Sequence, residues 1–221
     1  INSQVLSLWA EVLKVNDDSV LLMKFKEGGD PVMKEYYQSQ FRELGVDPRR
    51  IRIVGWKNPI EHMQLYGQID IALDTFPFNG CMTTMEGLWM GVPTISLVGE
   101  TISLSRSGLS ILSRVGLEFF VASTPKEYVA KATALARNLD SLEKIHNTLR
   151  QRMTASTLCD ADRFARETEE AYREMWRRWC RSGYAARSGE TGSNLTSCSF
   201  EISNAGLDPT KGNADGPARS L

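Results

Sequence analysis

No run of about 18 apolar residues occurs in the chain, so no segment reads as a membrane-spanning helix. The first residues, INSQVLSLWA, also lack the charged-then-apolar order of a secretory signal. An excess of charge of either sign is missing: 26 basic residues face 27 acidic ones, and the formal net charge is -1. That balance gives no electrostatic reason for a nucleic acid or an anionic membrane as partner. Cysteine is scarce. Cys81, Cys159, Cys180 and Cys198 are widely spread with no CxxC pair, which argues against a zinc site or a disulfide framework. They read as free thiols in a reducing, cytoplasmic setting, and the sequon Asn194-Leu195-Thr196 is then a chance match. No internal repeat is visible. No methionine stands at the start either: Ile1 leads straight into a helical pattern, as a fragment of a longer chain would.

What is present is an alternation of strands and helices. With 221 residues, 42% of them apolar, the chain can bury a substantial core. Asn2 or Ser3 can cap a helix in which Val5, Leu6, Trp9, Val12 and Leu13 recur at helical spacing. The continuous run Val20, Leu21, Leu22, Met23 predicts a strand covered on both faces. Asp30-Pro31 opens a second helix, and Ile51, Ile53 and Val54 form the next strand. A short helix over 60–66, the central stretch described below and a last strand near Phe119 to Ala122 complete the pattern. Strands alternating with helices predict an α/β fold with a doubly wound, Rossmann-like parallel sheet. Extra C-terminal helices begin near Thr124, Ser141 and Ala161 and read as packing elements; the last carries Phe164, Tyr172, Met175 and Trp176. From Arg181 onward Gly, Ser, Thr, Asn and Asp dominate without a period. The expected organisation is one domain over residues 1–182 and a disordered tail over 183–221.

The most informative stretch is 69–97, IDIALDTFPFNGCMTTMEGLWMGVPTISL, which reads as strand, loop, helix, strand. Ile69, Ile71 and Leu73 are the strand, and Pro77, Asn79 and Gly80 turn the chain. A helix opening near Thr83 runs to Gly91 and Pro93. A helix start after a strand and a glycine loop presents unpaired N–H groups and the positive end of its dipole, which suits a phosphate. Gly80 would let the backbone approach a ligand, Thr83 and Thr84 would add donors, and Glu86, one turn on, could accept from ribose hydroxyls. A second reading needs no ligand: Thr83-x-x-Glu86 has the spacing of a capping box, in which the two side chains satisfy the helix's own first N–H groups. Spacing alone leaves both open. Asp74, at the end of the strand, could cap the loop. No pair of carboxylates stands out as a catalytic dyad.

These residues carry a resemblance. LDTFPFNGCMTTMEGLWMGVPTISL, preceded by HMQLYGQIDIA and followed much later by MWRRWC, resembles the donor-binding, C-terminal half of the O-linked N-acetylglucosamine transferase and SPINDLY family of GT-B glycosyltransferases. The resemblance covers residues 1 to about 180. It implies that Asn79, Gly80, Cys81, Met82, Thr83 and Thr84 hold a nucleotide diphosphate, that Glu86 holds the ribose, and that His62 packs on the base. It further implies a basic residue closing the loop over 99–106, which falls on Arg106. Cys81 and Met82 stand where the family usually has Thr or His and then Thr. By the same resemblance the reaction is transfer of a sugar to Ser or Thr of an acceptor protein. The donor is UDP-N-acetylglucosamine, or GDP-fucose as in SPINDLY relatives, and neither a metal nor another cofactor is required. The remaining half, with helical repeats, would lie upstream. The alternative is a nucleotide-binding module without transfer activity. Without the resemblance, His62 reads as a structural or surface histidine and His146 as a surface one.

Overall fold

The computed structural model describes residues 1–99 and 102–187, with side chains to residue 182; the expected disordered tail lies, beyond Arg187, outside the described residues. Residues 1–170 form one compact unit, and the chain from Ala171 belongs to a second. α1 (Ser3–Val15) begins where Asn2 Oδ1 accepts the Val5 N–H at 2.9 Å, and its face of Val5, Leu6, Trp9, Val12 and Leu13 is buried. β1 (Leu21–Lys24) then pairs in parallel with β2 (Ile51–Val54), Leu21 opposite Ile51 and Met23 opposite Ile53. The crossover between them is α2 (Pro31–Glu43), capped by Asp30 Oδ1 on the Val32 N–H at 2.8 Å. A strand covered on both faces is not what forms. Leu21 and Met23 are buried, Lys24 is exposed, and Val20, 60% exposed, lies before the strand. A continuous apolar run carries no phase, so it cannot distinguish one covered face from two.

After α3 (Pro59–Leu65) comes β3 (Ala72–Leu73), which α4 (Met82–Trp89) joins to β4 (Thr94–Leu97). β3 is shorter than the run Ile69, Ile71, Leu73 suggests, because its pairing with β4 comprises only Ala72 opposite Thr94 and Leu73 opposite Ile95. α5 (Ser107–Arg114) leads to β5 (Val121–Ala122), and β3, β4 and β5 lie in that order, all parallel. β4 is buried along its length, flanked by two strands and packed by α5 and by α6 (Pro125–Ala136). Gly91, at φ 88°, ends α4 in the left-handed region that suits glycine, and the chain turns into Val92 and Pro93.

Among the described residues, β1 is bonded to β2 alone and β3 to β4 alone, so each presents an open edge. A cavity of about 830 Å³ lies between them, lined by Leu21 and Met23 on one side and by Ile69, Ile71 and Leu73 on the other. Gly80, Thr83, Thr84 and His62 line the same cavity.

α7 (Leu139–Thr154) buries Leu142, Ile145, Leu149 and Met153 as a packing helix should. α8 (Ala161–Arg187) does not: Phe164, Tyr172, Met175 and Trp176 are all more than half exposed. Helical periodicity identifies a face able to pack, whereas burial depends on what lies opposite. No described helix is long and apolar enough to cross a membrane.

Candidate functional site

The loop that follows β3 is organised by a carboxylate. Asp74, only 7% exposed, accepts the Thr75 N–H at 2.9 Å and the Gly80 N–H at 2.7 Å on Oδ1, and the Ser96 hydroxyl at 2.7 Å on Oδ2. Its backbone carbonyl accepts the hydroxyl of the fully buried Tyr128 at 3.0 Å. Burial pushes the Asp74 carboxyl up to a pKa of about 6, while the three hydrogen bonds pull it down. Asp74 thus caps the loop. Asn79, 1% exposed, braces it from the other end: Nδ2 donates to Thr75 O at 2.9 Å and to Leu97 O at 3.2 Å. Its side chain faces the protein interior rather than solvent.

Gly80 is closely approached by three side chains. A Cβ there would lie 2.8 Å from both the Thr83 and the Thr84 hydroxyl oxygens and 3.2 Å from Asp74 Oδ1. Bending the loop this tightly gathers the two threonine hydroxyls beside the glycine. Cys81 then occupies the cap position of α4 and Met82 its first turn; both are exposed, Met82 at 63%. No side chain caps this helix, so its leading N–H groups lack the partner that capping would supply.

The capping box does not form. The helix begins at Met82 with Cys81 at its cap position, two residues before the Thr83 that a capping box would place there, and the Glu86 carboxylate goes to another partner. Glu86 Oε2 instead lies 3.0 Å from His62 Nε2 and 3.4 Å from the Tyr66 hydroxyl, which also donates to Thr83 O at 3.2 Å. A carboxylate only accepts, so His62 presents Nε2–H to it. The His62 and Tyr66 rings are 5.4 Å apart, and His62 is half-buried at the cavity wall. His146, from α7, reaches the Asp70 carbonyl at 2.9 Å and is structural.

Of the residues singled out by sequence, His62, Gly80, Thr83 and Thr84 meet at one cavity, with Glu86 tied to His62. Cys81 and Met82 adjoin them at the helix start, and Asn79 supports the loop from within. Arg106 is exposed at the start of α5 and does not line the cavity. Its link to the loop is indirect, through the Asn79 N–H bonded to Leu104 O at 3.2 Å. Tyr66, Ser96 and Tyr128 escaped sequence reasoning. Tyr66 had a signal, since it stands four residues after His62 on one helical face; Ser96 and Tyr128 had none. Among the described residues, no group of three or more His, Cys, Asp or Glu is placed to hold a metal ion.

Parallel strands joined by crossover helices, with the start of α4 at the carboxyl end of β3, make this a parallel α/β fold. The profile of glycosyl transferase family 41 matches residues 1–168, and the chain belongs to that family. A probable UDP-N-acetylglucosamine--peptide N-acetylglucosaminyltransferase SPINDLY of Solanum lycopersicum is 38% identical over 81% of this chain and 19% of its own length. The UDP-N-acetylglucosamine--peptide N-acetylglucosaminyltransferase of Caenorhabditis elegans is 31% identical, over 81% of this chain and 15% of its own. A solved structure of a Thermobaculum terrenum O-GlcNAc transferase mutant superposes with a TM-score of 0.78 at 33% identity, covering 83% of this chain and 35% of that one. The fold is accordingly that of the C-terminal half of a GT-B enzyme. The chain spans about a fifth of the length of the curated SPINDLY relatives it matches.

Proposed function

We propose that residues 1–182 form the nucleotide-sugar-binding part of a protein O-glycosyltransferase that moves N-acetylglucosamine from UDP to Ser or Thr of an acceptor protein. The observation that carries this reading is the uncapped start of α4, with two threonine hydroxyls gathered around Gly80. Unpaired N–H groups, the helix dipole and the hydroxyls together suit a diphosphate and would stabilise it as a leaving group by electrostatics, with no cation needed. Asp74 acts at one remove, since by taking the Gly80 N–H and the Ser96 hydroxyl it shapes the loop. His62 would pack on the base and Glu86 would face the ribose; Arg106 would reach the diphosphate only by a movement of its loop. The acceptor side would come from the rest of the protein.

GDP-fucose is the second donor to weigh, on the resemblance to SPINDLY relatives alone. The SPINDLY proteins matched at 38% identity and the nematode transferase at 31% are all named as UDP-N-acetylglucosamine transferases, which favours the first donor. Calorimetric titration of the intact protein with UDP and with GDP separates the two. Selective binding of UDP is expected. Selective binding of GDP would transfer the reading to the second donor, and binding of neither would overturn both.

A further inference from the structure

The proposed function leaves the Tyr66 hydroxyl without a role. Tyr66 is 9% exposed, and its ring lies against Gly87, where an added Cβ would sit 3.5 Å from Tyr66 Cε1. Its hydroxyl is within 3.2 Å of Thr83 O and 3.4 Å of Glu86 Oε2. One proton cannot serve both acceptors at once, so the group sits between the first turn of α4 and the carboxylate. Burial, and after it the charge and hydrogen bond of Glu86, push the phenol far above its usual range, which keeps it a donor. The same Oε2 takes the His62 Nε2–H at 3.0 Å, and no hydrogen bond to Oε1 occurs among the described residues. With the Tyr66 proton turned to Glu86 rather than to Thr83 O, one oxygen of Glu86 is gripped from two sides and the other is left as an acceptor. His62 Nδ1 is buried without a partner among the described residues, so the contact with Glu86 is the polar tie that orients this ring.

We infer that Tyr66 is a positioning residue of the nucleotide site: with His62 it clamps Glu86 Oε2, and so holds the second carboxylate oxygen and the imidazole ring in one arrangement that receives the nucleoside part of the donor. This rests on the nucleotide reading above. It assigns the Tyr66–Glu86–His62 cluster to the nucleoside and the first turn of α4 to the diphosphate, so the two parts of the ligand should respond differently to substitution.

The test is calorimetric titration of the intact protein and of Tyr66→Phe, Glu86→Ala and the double variant with UDP, GDP and inorganic pyrophosphate. Tyr66→Phe keeps the ring against Gly87 and removes only the hydroxyl. It is expected to weaken the preferred nucleoside diphosphate about five- to tenfold, to leave pyrophosphate unchanged, and to add less than about twofold once Glu86 is already Ala. Equal loss for nucleotide and pyrophosphate, no loss at all, or a full effect persisting beside Glu86→Ala would overturn the inference. If Tyr66→Phe does not fold, Glu86→Gln probes the same contact, since an amide presents one acceptor oxygen instead of two; unaltered nucleotide affinity there would also overturn it. Failure of the unsubstituted protein to bind either nucleotide is a different result, and it removes the donor-site reading together with this one.

Discussion

The Gly80 backbone N–H donates to Asp74 Oδ1 at 2.7 Å, and this bond closes the loop that sets where α4 begins. The carboxylate that accepts it is held at a pKa of about 6 by burial, against 3.8 for an exposed aspartate. Folding therefore strengthens proton binding at Asp74. The stability this group contributes is fully present below about pH 4 and is lost as pH rises through about 6, an effect of about 3 kcal/mol. Asp74→Asn removes the titration while its Oδ1 can still accept from Gly80 and Thr75 and its amide can donate to Ser96. Urea unfolding at pH 4 and pH 7.5 is expected to show a smaller fall with pH in the variant. An unchanged difference between the two pH values would refute the assignment.

Thr83→Ala is expected to weaken nucleotide binding by about 1 kcal/mol or more, since hydrogen bonds to charged groups are worth roughly 1.5–3 kcal/mol. Because Glu86 bonds to His62 rather than closing a capping box, thermal stability should change little. Loss of stability with unchanged affinity would restore the capping role.

Met82→Thr is the opposite substitution, since Met82 is exposed in the first turn of α4, where a thioether offers no donor. A hydroxyl there can bond a phosphate oxygen, and about a three- to tenfold gain in nucleotide affinity is expected by titration. No gain would mean that the backbone alone does the binding.

The open edges of β1 and β3 face a cavity of about 830 Å³, lined on both sides by apolar side chains. Unpaired edges with apolar faces template association with other chains. Residues 1–182 produced alone should therefore scatter light at micromolar concentration and bind nucleotide poorly, whereas a longer stretch of the natural protein that fills the gap with a parallel strand should be monodisperse. A soluble, cooperatively unfolding 1–182 with micromolar nucleotide affinity would show that the sheet needs no such strand.

Much of this architecture was legible because its causes are local. Asn2, Asp30 and Thr124 cap α1, α2 and α6 through side chains that reach only two or three residues along the chain, and a short window of sequence contains that whole interaction. The Gly80 turn and the two threonines were legible for the same reason, and the family resemblance added their expected ligand. Tertiary structure decided how Glu86 is used. Sequence offered it as the far end of a capping box, but His62, 24 residues earlier, takes its carboxylate. Asp74 likewise becomes a buried loop organiser only because Ser96 and Tyr128, 22 and 54 residues away, close over it. Exposure divided the amphipathic helices in the same way, since α7 buries its apolar stripe and α8 leaves its own open. Periodicity and caps are written in neighbouring residues, whereas a carboxylate's partners and dielectric surroundings depend on which distant elements the fold brings against it.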